Sequence, residues 1–252
     1  MTRSYRLWPR RAALPPELWR NIASAPLLCA LPAELDTTLY TLSSEFLSQK
    51  HIEGAAGLEL DADARVVIAA QAALPLLGLG TDWYRGWYSV IVYPGEFRRR
   101  GEYEDEIGVV HQASEVASGE AWPRGPIIVS WEDALQDLSL TVPGRNVTVH
   151  ECVHKLDMLN GGVANGFPPL HSGMSPERWT RVFEIAWERH CEAVDQGRAT
   201  AVDPYGAEDP GEFFATVCEL FFTTPAELEA EHPEVYREVR AFFRVDPSTW
   251  SR

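Results

Sequence analysis

The chain has no apolar run long enough to cross a bilayer, which takes about 20 residues. Its best candidate, VVIAAQAALPLLGLG at 66–80, is too short and is broken by Pro75, Gly78 and Gly80. The N-terminus is basic but lacks the apolar stretch and cleavage pattern of a secretion signal, so the expected location is the cytoplasm. Positive charge is scarce: 22 Lys and Arg stand against 37 Asp and Glu, a net charge of -15. An acidic surface argues against direct binding to nucleic acid or to anionic membrane, since both need a basic face. Cysteine is also scarce. Cys29, Cys152, Cys191 and Cys218 form no CxxC pair, and reduced thiols acting as small buried hydrophobes are expected. Internal repeats and low-complexity segments are absent. The NVT at 146–148 fits a glycosylation pattern, but without a secretion signal it reads as chance.

What is present is enough apolar sequence, 45% of 252 residues, for one large domain or one domain with a small appendage. Residues 1–60 read as an N-terminal helical segment packed on the core, and 61–252 as the main domain. PPELWRNIASAP and PAELDTTLYTLSSEFLSQK open with proline and acid, as helix starts do. DADARVVIAAQAALPLL (61–77) reads as a buried helix capped by Asp61. WYSVIVYP (87–94), IGVVHQ (107–112) and PIIVSW (126–131) read as strands. The last is either an exposed edge able to pair with an extended peptide or an interior strand. DALQDLSLTVPGR (133–145) is ambiguous. Helices are expected over 175–197 and 209–225, with one or two more to the C-terminus. Strands segregated from helices make the fold class α+β, with a small mixed sheet.

The segment VTVHECVHKLDMLNG (147–161) carries the chemistry. His150 and His154 stand four apart, so on a helix both imidazoles share one face and reach one ion. Glu151 lies beside them, placed to take a proton from water in an open coordination position. This HExxH pattern supplies two zinc ligands and a general base. Val147, Val153, Leu156 and Leu159 recur near helical spacing, so the helix is expected to be buried, with Asn146 as its cap. A buried helix carrying His, Glu, His and Asp needs polar partners.

The third ligand must come from elsewhere. Glu212 and Glu219 are seven residues apart on the predicted helix 209–224, two turns, so both face the same way. Spacing leaves either one as ligand and the other as a hydrogen-bond partner of a ligand histidine. His171 and His190 are weaker candidates, read as surface or loop histidines. Asp157 reads either as a carboxylate orienting an imidazole or as a helix-end contact with Asn160. NGGVANGFPPL (160–170) ends the helix in a sharp turn. Tyr205, seven residues before Glu212, is a candidate phenol donor to a developing oxyanion. The C-terminal FFRVDPSTWSR is a candidate mobile gate.

HECVHKLDMLNG, NGFPPL and DPGEFFATVCELFF together resemble the Mlc titration factor family, peptidase family M90, whose catalytic core is similar to that of anthrax lethal factor. The resemblance is clearest over 80–230. It implies a zincin-like, gluzincin-type core with one zinc per chain held by His150, His154 and Glu212, so it favours Glu212 over Glu219. It implies Glu151 as catalytic base and Tyr205 as an aid at the transition state. It implies aminopeptidase-like activity on short peptides, and binding of a glucose-responsive transcriptional repressor as a further role. Two rival expectations remain: a repressor-binding protein whose zinc site is not its main activity, and metal-dependent hydrolysis of a non-peptide amide or ester.

Overall fold

The computed structural model describes residues 14–95, 97–104, 110–117, 119–121 and 125–250, with side chains described outside 96–124. The basic N-terminal run and residues 107–109 of the expected strand 107–112 lie outside these. Two helices come first, α1 (Pro16–Ala23) and α2 (Ala33–Gln49), each with acid in its first turn, where it complements the helix dipole. A short strand, β1 (His51–Gly54), follows. Asp61 accepts a hydrogen bond from Ala64 N at 2.8 Å and caps α3 (Ala62–Ala73). This helix is rich in alanine and buried along most of its length, so its small side chains let neighbouring helices approach closely.

The remaining strands are β2 (Ser89–Tyr93), β3 (Phe97–Glu104), β4 (Val110–Ala117), β5 (Gly119–Ala121) and β6 (Ile127–Ser130). β3 and β4 form an antiparallel hairpin of their own. The other four form one mixed sheet in the order β1-β2-β6-β5, parallel except for β5. Val90 pairs with Ile127 and Val92 with Val129, and all four side chains are buried. The strands are less segregated than the sequence suggests. β1 was not anticipated, and its parallel pairing with β2 requires a crossover, which α3 supplies. PIIVSW is an interior strand: β6 lies between β2 and β5, and β5 is the outer one.

The helical remainder is α4 (Trp131–Leu138), α5 (Val147–Asp157), α6 (Pro176–Asp195), α7 (Pro210–Thr223), α8 (Pro225–Glu231) and α9 (Pro233–Phe243). The ambiguous 133–145 resolves into most of α4 and a turn in which Leu140 and Gly144 have positive φ. No helix among the described residues is long and apolar enough to cross a membrane.

The apolar core is continuous from Leu14 to Trp250. Its densest part is aromatic. Phe213, Phe214, Phe221 and Phe222 of α7 are buried together with Phe242 and Phe243 of α9 and Trp179 and Phe183 of α6. Trp179 stacks on Phe183 with ring centroids 4.4 Å apart, and Phe222 meets Phe243 edge-on at 5.0 Å. The C-terminal stretch through 250 is therefore packed rather than free. Trp250 is buried, and Asp246 accepts a hydrogen bond from Tyr236 at 2.5 Å. That counts against residues 242–250 as a gate. Replacing Phe221 by Ala opens a cavity that its neighbours cannot fill, and should cost about 3–5 kcal/mol in urea unfolding.

Candidate metal centre

The helix that carries His150, Glu151 and His154 has poor intrinsic propensity. Val147, Thr148, Val149 and Val153 are β-branched, so tertiary packing must hold it. All eleven residues of α5 are buried, and the helix lies against α7, α3 and strands β5 and β6. Buried helix starts leave amides that need acceptors. Asn146 Oδ1 accepts from Val149 N at 2.9 Å, Asp137 Oδ2 from Val147 N at 2.7 Å, and Glu219 Oε2 from Asn146 N at 2.5 Å. Asn146 is thus the expected cap. Leu159, expected on the apolar face, is 43% exposed because α5 ends before it.

Glu212 stands in the first turn of α7, where Asp209 caps the helix by accepting from Gly211 N at 2.7 Å and Glu212 N at 2.9 Å. Two turns later, Glu219 lies on the same face. Both reach His150, from opposite sides of the ring. His150 Nδ1 is 2.7 Å from Glu219 Oε1, and His150 Nε2 is 2.9 Å from Glu212 Oε2. His154 Nε2 is 3.0 Å from His150 Nε2 and 3.3 Å from Glu212 Oε2. Among the described residues, His150, His154 and Glu212 form the one group of three that could hold a metal ion, with ligand atoms within 4.8 Å of one another.

The donor set fits a zinc ion. Ligand atoms about 2.0–2.2 Å from a tetrahedral zinc stand about 3.3 Å from each other, close to the three separations here. Two ring nitrogens facing at 3.0 Å can share at most one proton, which suits a common cation better than a hydrogen bond. Two nitrogens and one carboxylate oxygen leave a fourth position open, as catalytic zinc sites do and structural ones do not.

The electrostatics follow from the two carboxylates. Burial works against a charged His150, but the neighbouring Glu219 and the hydrogen bonds to Glu212 and Glu219 outweigh it and raise its pKa well above normal. Burial lowers that of His154, despite its bond to Glu212. Burial also disfavours ionised Glu212, but the bonds to both histidines overcome this and hold its carboxyl far below the usual range.

Glu151 is only 2% exposed, and its charge helps raise the pKa of His150. Tyr205 sits on a 3₁₀ turn packed against α7, with its ring centroid 6.1 Å from that of His150. The other sequence candidates lie elsewhere. Asp157 orients neither imidazole. Its two oxygens accept from Gly166 N at 2.7 Å and Phe167 N at 2.9 Å, which ties the 160–167 loop to the end of α5. His171 Nε2 donates to Phe242 O at 2.8 Å. His190 is buried rather than a surface residue, and its Nε2 donates to Asp203 O at 3.1 Å. Of the cysteines, Cys152 and Cys218 are buried as expected, Cys191 is half-buried and Cys29 is exposed.

The sequence reading missed Gln71 and Asp137. Gln71 is fully buried in α3, donates to Ala134 O at 3.0 Å and accepts from Asn146 Nδ2 at 2.8 Å. A lone amide among the valines and alanines of 66–73 is a signal that could have been noticed, since a buried polar group needs partners. Asp137 carries no such signal, because α4 has three acids within eight residues.

A buried histidine pair with a carboxylate, on an α+β framework, is the equipment of a metallopeptidase. The model of one such family, described as glucose-regulated metallo-peptidase M90, matches residues 2–244, and the chain belongs to that family. Its relatives include Mlc titration factor A of Salmonella arizonae, 37% identical over 235 residues that span 92% of each chain. The protein of the same name from Cronobacter sakazakii is 37% identical over 95% of this chain and 92% of its own. That from Yersinia enterocolitica is 36% identical over 91% and 85%.

Burial pushes the Asp137 carboxyl up to about 7, against the opposing bond from Val147 N. The folded protein therefore holds a proton there that the unfolded chain releases near pH 4. Stability contributed by this group falls as pH rises from about 4 to about 7, by at most about 4 kcal/mol, and is flat above. Asp137→Asn keeps an acceptor for Val147 N and should flatten that slope in urea unfolding series across the same range.

Proposed function

We propose that the protein is a zinc peptidase in which His150, His154 and Glu212 hold one zinc ion and Glu151 is the general base. The observation that carries this reading is the convergence of the two Nε2 atoms and Glu212 Oε2 within 3.3 Å of one another. A zinc ion in that set supplies Lewis acidity to water and to the scissile carbonyl. Glu219 accepts from His150 Nδ1 and so leaves Nε2 as the ligand nitrogen, while Glu212 faces that nitrogen from the metal side. The ring nitrogen that each glutamate meets supports Glu212 rather than Glu219 as the ligand. Glu151, one residue past His150, takes a proton from the attacking water and passes it to the leaving amine. The Tyr205 phenol donates to the oxyanion as the carbonyl becomes tetrahedral. The arrangement is that of a gluzincin within a zincin-like core, and short peptides cleaved in aminopeptidase fashion are the proposed substrates.

A second role, binding a repressor protein similar to Mlc, is proposed from the name its relatives carry. It is compatible with the first. Glu151→Gln protein should still retain such a partner in a pull-down if the two roles are separate.

Four variants test the site. Wild type should carry close to one zinc per chain by elemental analysis, Glu212→Ala almost none, and Glu219→Ala should retain zinc with affinity weaker by about 10- to 100-fold. Glu151→Gln should keep its zinc and lose at least about 100-fold in peptide hydrolysis. A Glu151→Gln enzyme as fast as wild type, or a wild type that takes up no zinc, would overturn the reading. Tyr205→Phe should lower kcat by roughly 10- to 100-fold with little change in KM, because the phenol acts on the transition state rather than on bound substrate.

A further inference from the structure

Behind His150 runs a chain of buried hydrogen bonds that crosses four helices. Gln71 Nε2 of α3 donates to Ala134 O of α4 at 3.0 Å and to Val67 O at 3.3 Å. Its Oε1 accepts from Asn146 Nδ2 at 2.8 Å. Asn146 Oδ1 accepts from Val149 N, and Asn146 N donates to Glu219 Oε2. Glu219 Oε1 then meets His150 Nδ1 at 2.7 Å. Gln71, Asn146 and Glu219 are all buried. The directions of the bonds made by the two side-chain amides are fixed by their partners. The Val149 amide can only donate, so Asn146 must present its oxygen there and its nitrogen to Gln71. Gln71 must then present its oxygen to Asn146 and its nitrogen to two carbonyls.

We infer that Gln71 is a positioning residue for His150, acting through Asn146 and Glu219. This rests on the zinc reading above. A rotated Asn146 side chain would carry the backbone of the α5 cap with it. The cap amide holds one oxygen of Glu219, and that fixes where the other oxygen meets the imidazole. The chain thereby sets both the tautomer and the ring orientation of the first ligand. Partners that orient a ligand histidine commonly tune metal affinity. Here the orienting carboxylate is itself held by a partner in another layer of the fold.

The test is a double-mutant cycle on zinc affinity, measured by competition with a chromophoric chelator, with Gln71→Met and Glu219→Ala singly and together. Gln71→Met is similar in size and removes only the amide. It should weaken zinc binding about three- to tenfold, and should cost little further in the Glu219→Ala background, since the link to the ring is already gone. If Gln71→Met fails to fold, Asn146→Ser takes its place, because serine still caps α5 but lacks the amide nitrogen. The second readout is the NMR resonance of the His150 Nδ1 proton in zinc-free protein. It should be sharp and far downfield in wild type, and shifted or broadened in Gln71→Met. Wild-type zinc affinity in Gln71→Met, or losses that multiply in the double variant, would overturn the inference. If wild type itself binds no zinc, the metal reading fails, and an unmoved His150 resonance in Gln71→Met would separately refute the link.

Discussion

The imidazole of His150 is gripped on both nitrogens by carboxylates seven residues apart on one helix, and the architecture around it follows from that grip. Glu219 holds Nδ1 and Glu212 faces Nε2. For one helix to supply both, α7 must cross α5 closely with its Glu212–Glu219 face turned inward, and its other faces must be buried as well. That accounts for its composition. Four phenylalanines at 213, 214, 221 and 222 anchor it against α6 and α9 through edge-on and stacked ring contacts. One buried and one half-buried carboxylate are costly beside an apolar interior. Their cost is offset by histidine nitrogens and by an amide of the α5 cap, so the polar strip and the aromatic surroundings are two sides of one solution.

The same constraint explains why α5 draws partners from so many elements. A helix buried over its whole length cannot leave its first amides to water. α4 supplies Asp137, α7 supplies Glu219, and the cap itself supplies Asn146, whose remaining amide is met by Gln71 of α3. At the other end, Asp157 accepts from Gly166 and Phe167 and draws the following loop back against the helix. The polar residues of α5 thus act as fixing points between layers that share one apolar core.

Local chemistry was legible in the sequence and long-range pairing was not. The caps Asp61 and Asn146, the proline-and-acid helix starts of α1 and α2, and the i, i+4 histidines all announce themselves within a few residues. The choice between Glu212 and Glu219 could not be read from spacing, because two turns put both on one face. It becomes a distinction only when His150 is seen between them. β1 and the interior place of β6 were hidden for a similar reason: strand order depends on the crossover through α3, which no four-residue strand encodes. Of the two readings of Asp157, the helix-end contact with Asn160 is present through the backbone, Asn160 N donating to Asp157 O at 3.1 Å, while the carboxylate's partners, two loop amides nine and ten residues on, are set by the fold of a glycine-rich loop. His190 reads as a surface or loop histidine because nothing near it in sequence reports the burial imposed by Phe213 across the helix pair, with ring centroids 5.4 Å apart.

That glycine-rich loop also fixes where Glu212 stands. Gly166 has φ of +76°, and a Cβ there would lie 2.6 Å from Pro210 O, while one on Gly211 would lie 2.7 Å from Ala164 O. Loop and helix start therefore touch backbone to backbone, with no side chain between them to yield. Trp179 closes the contact from α6 by donating to Gly166 O at 2.9 Å. Asp209 consumes the first amides of α7, so Glu212 is free to turn its carboxylate toward the histidines instead of folding back on its own helix. The first turn of a helix usually frays, and a carboxylate placed there would wander. Here the close approach of two glycines removes that slack, and the end of α5 and the start of α7 behave as one rigid piece through Asp157 and Gly166.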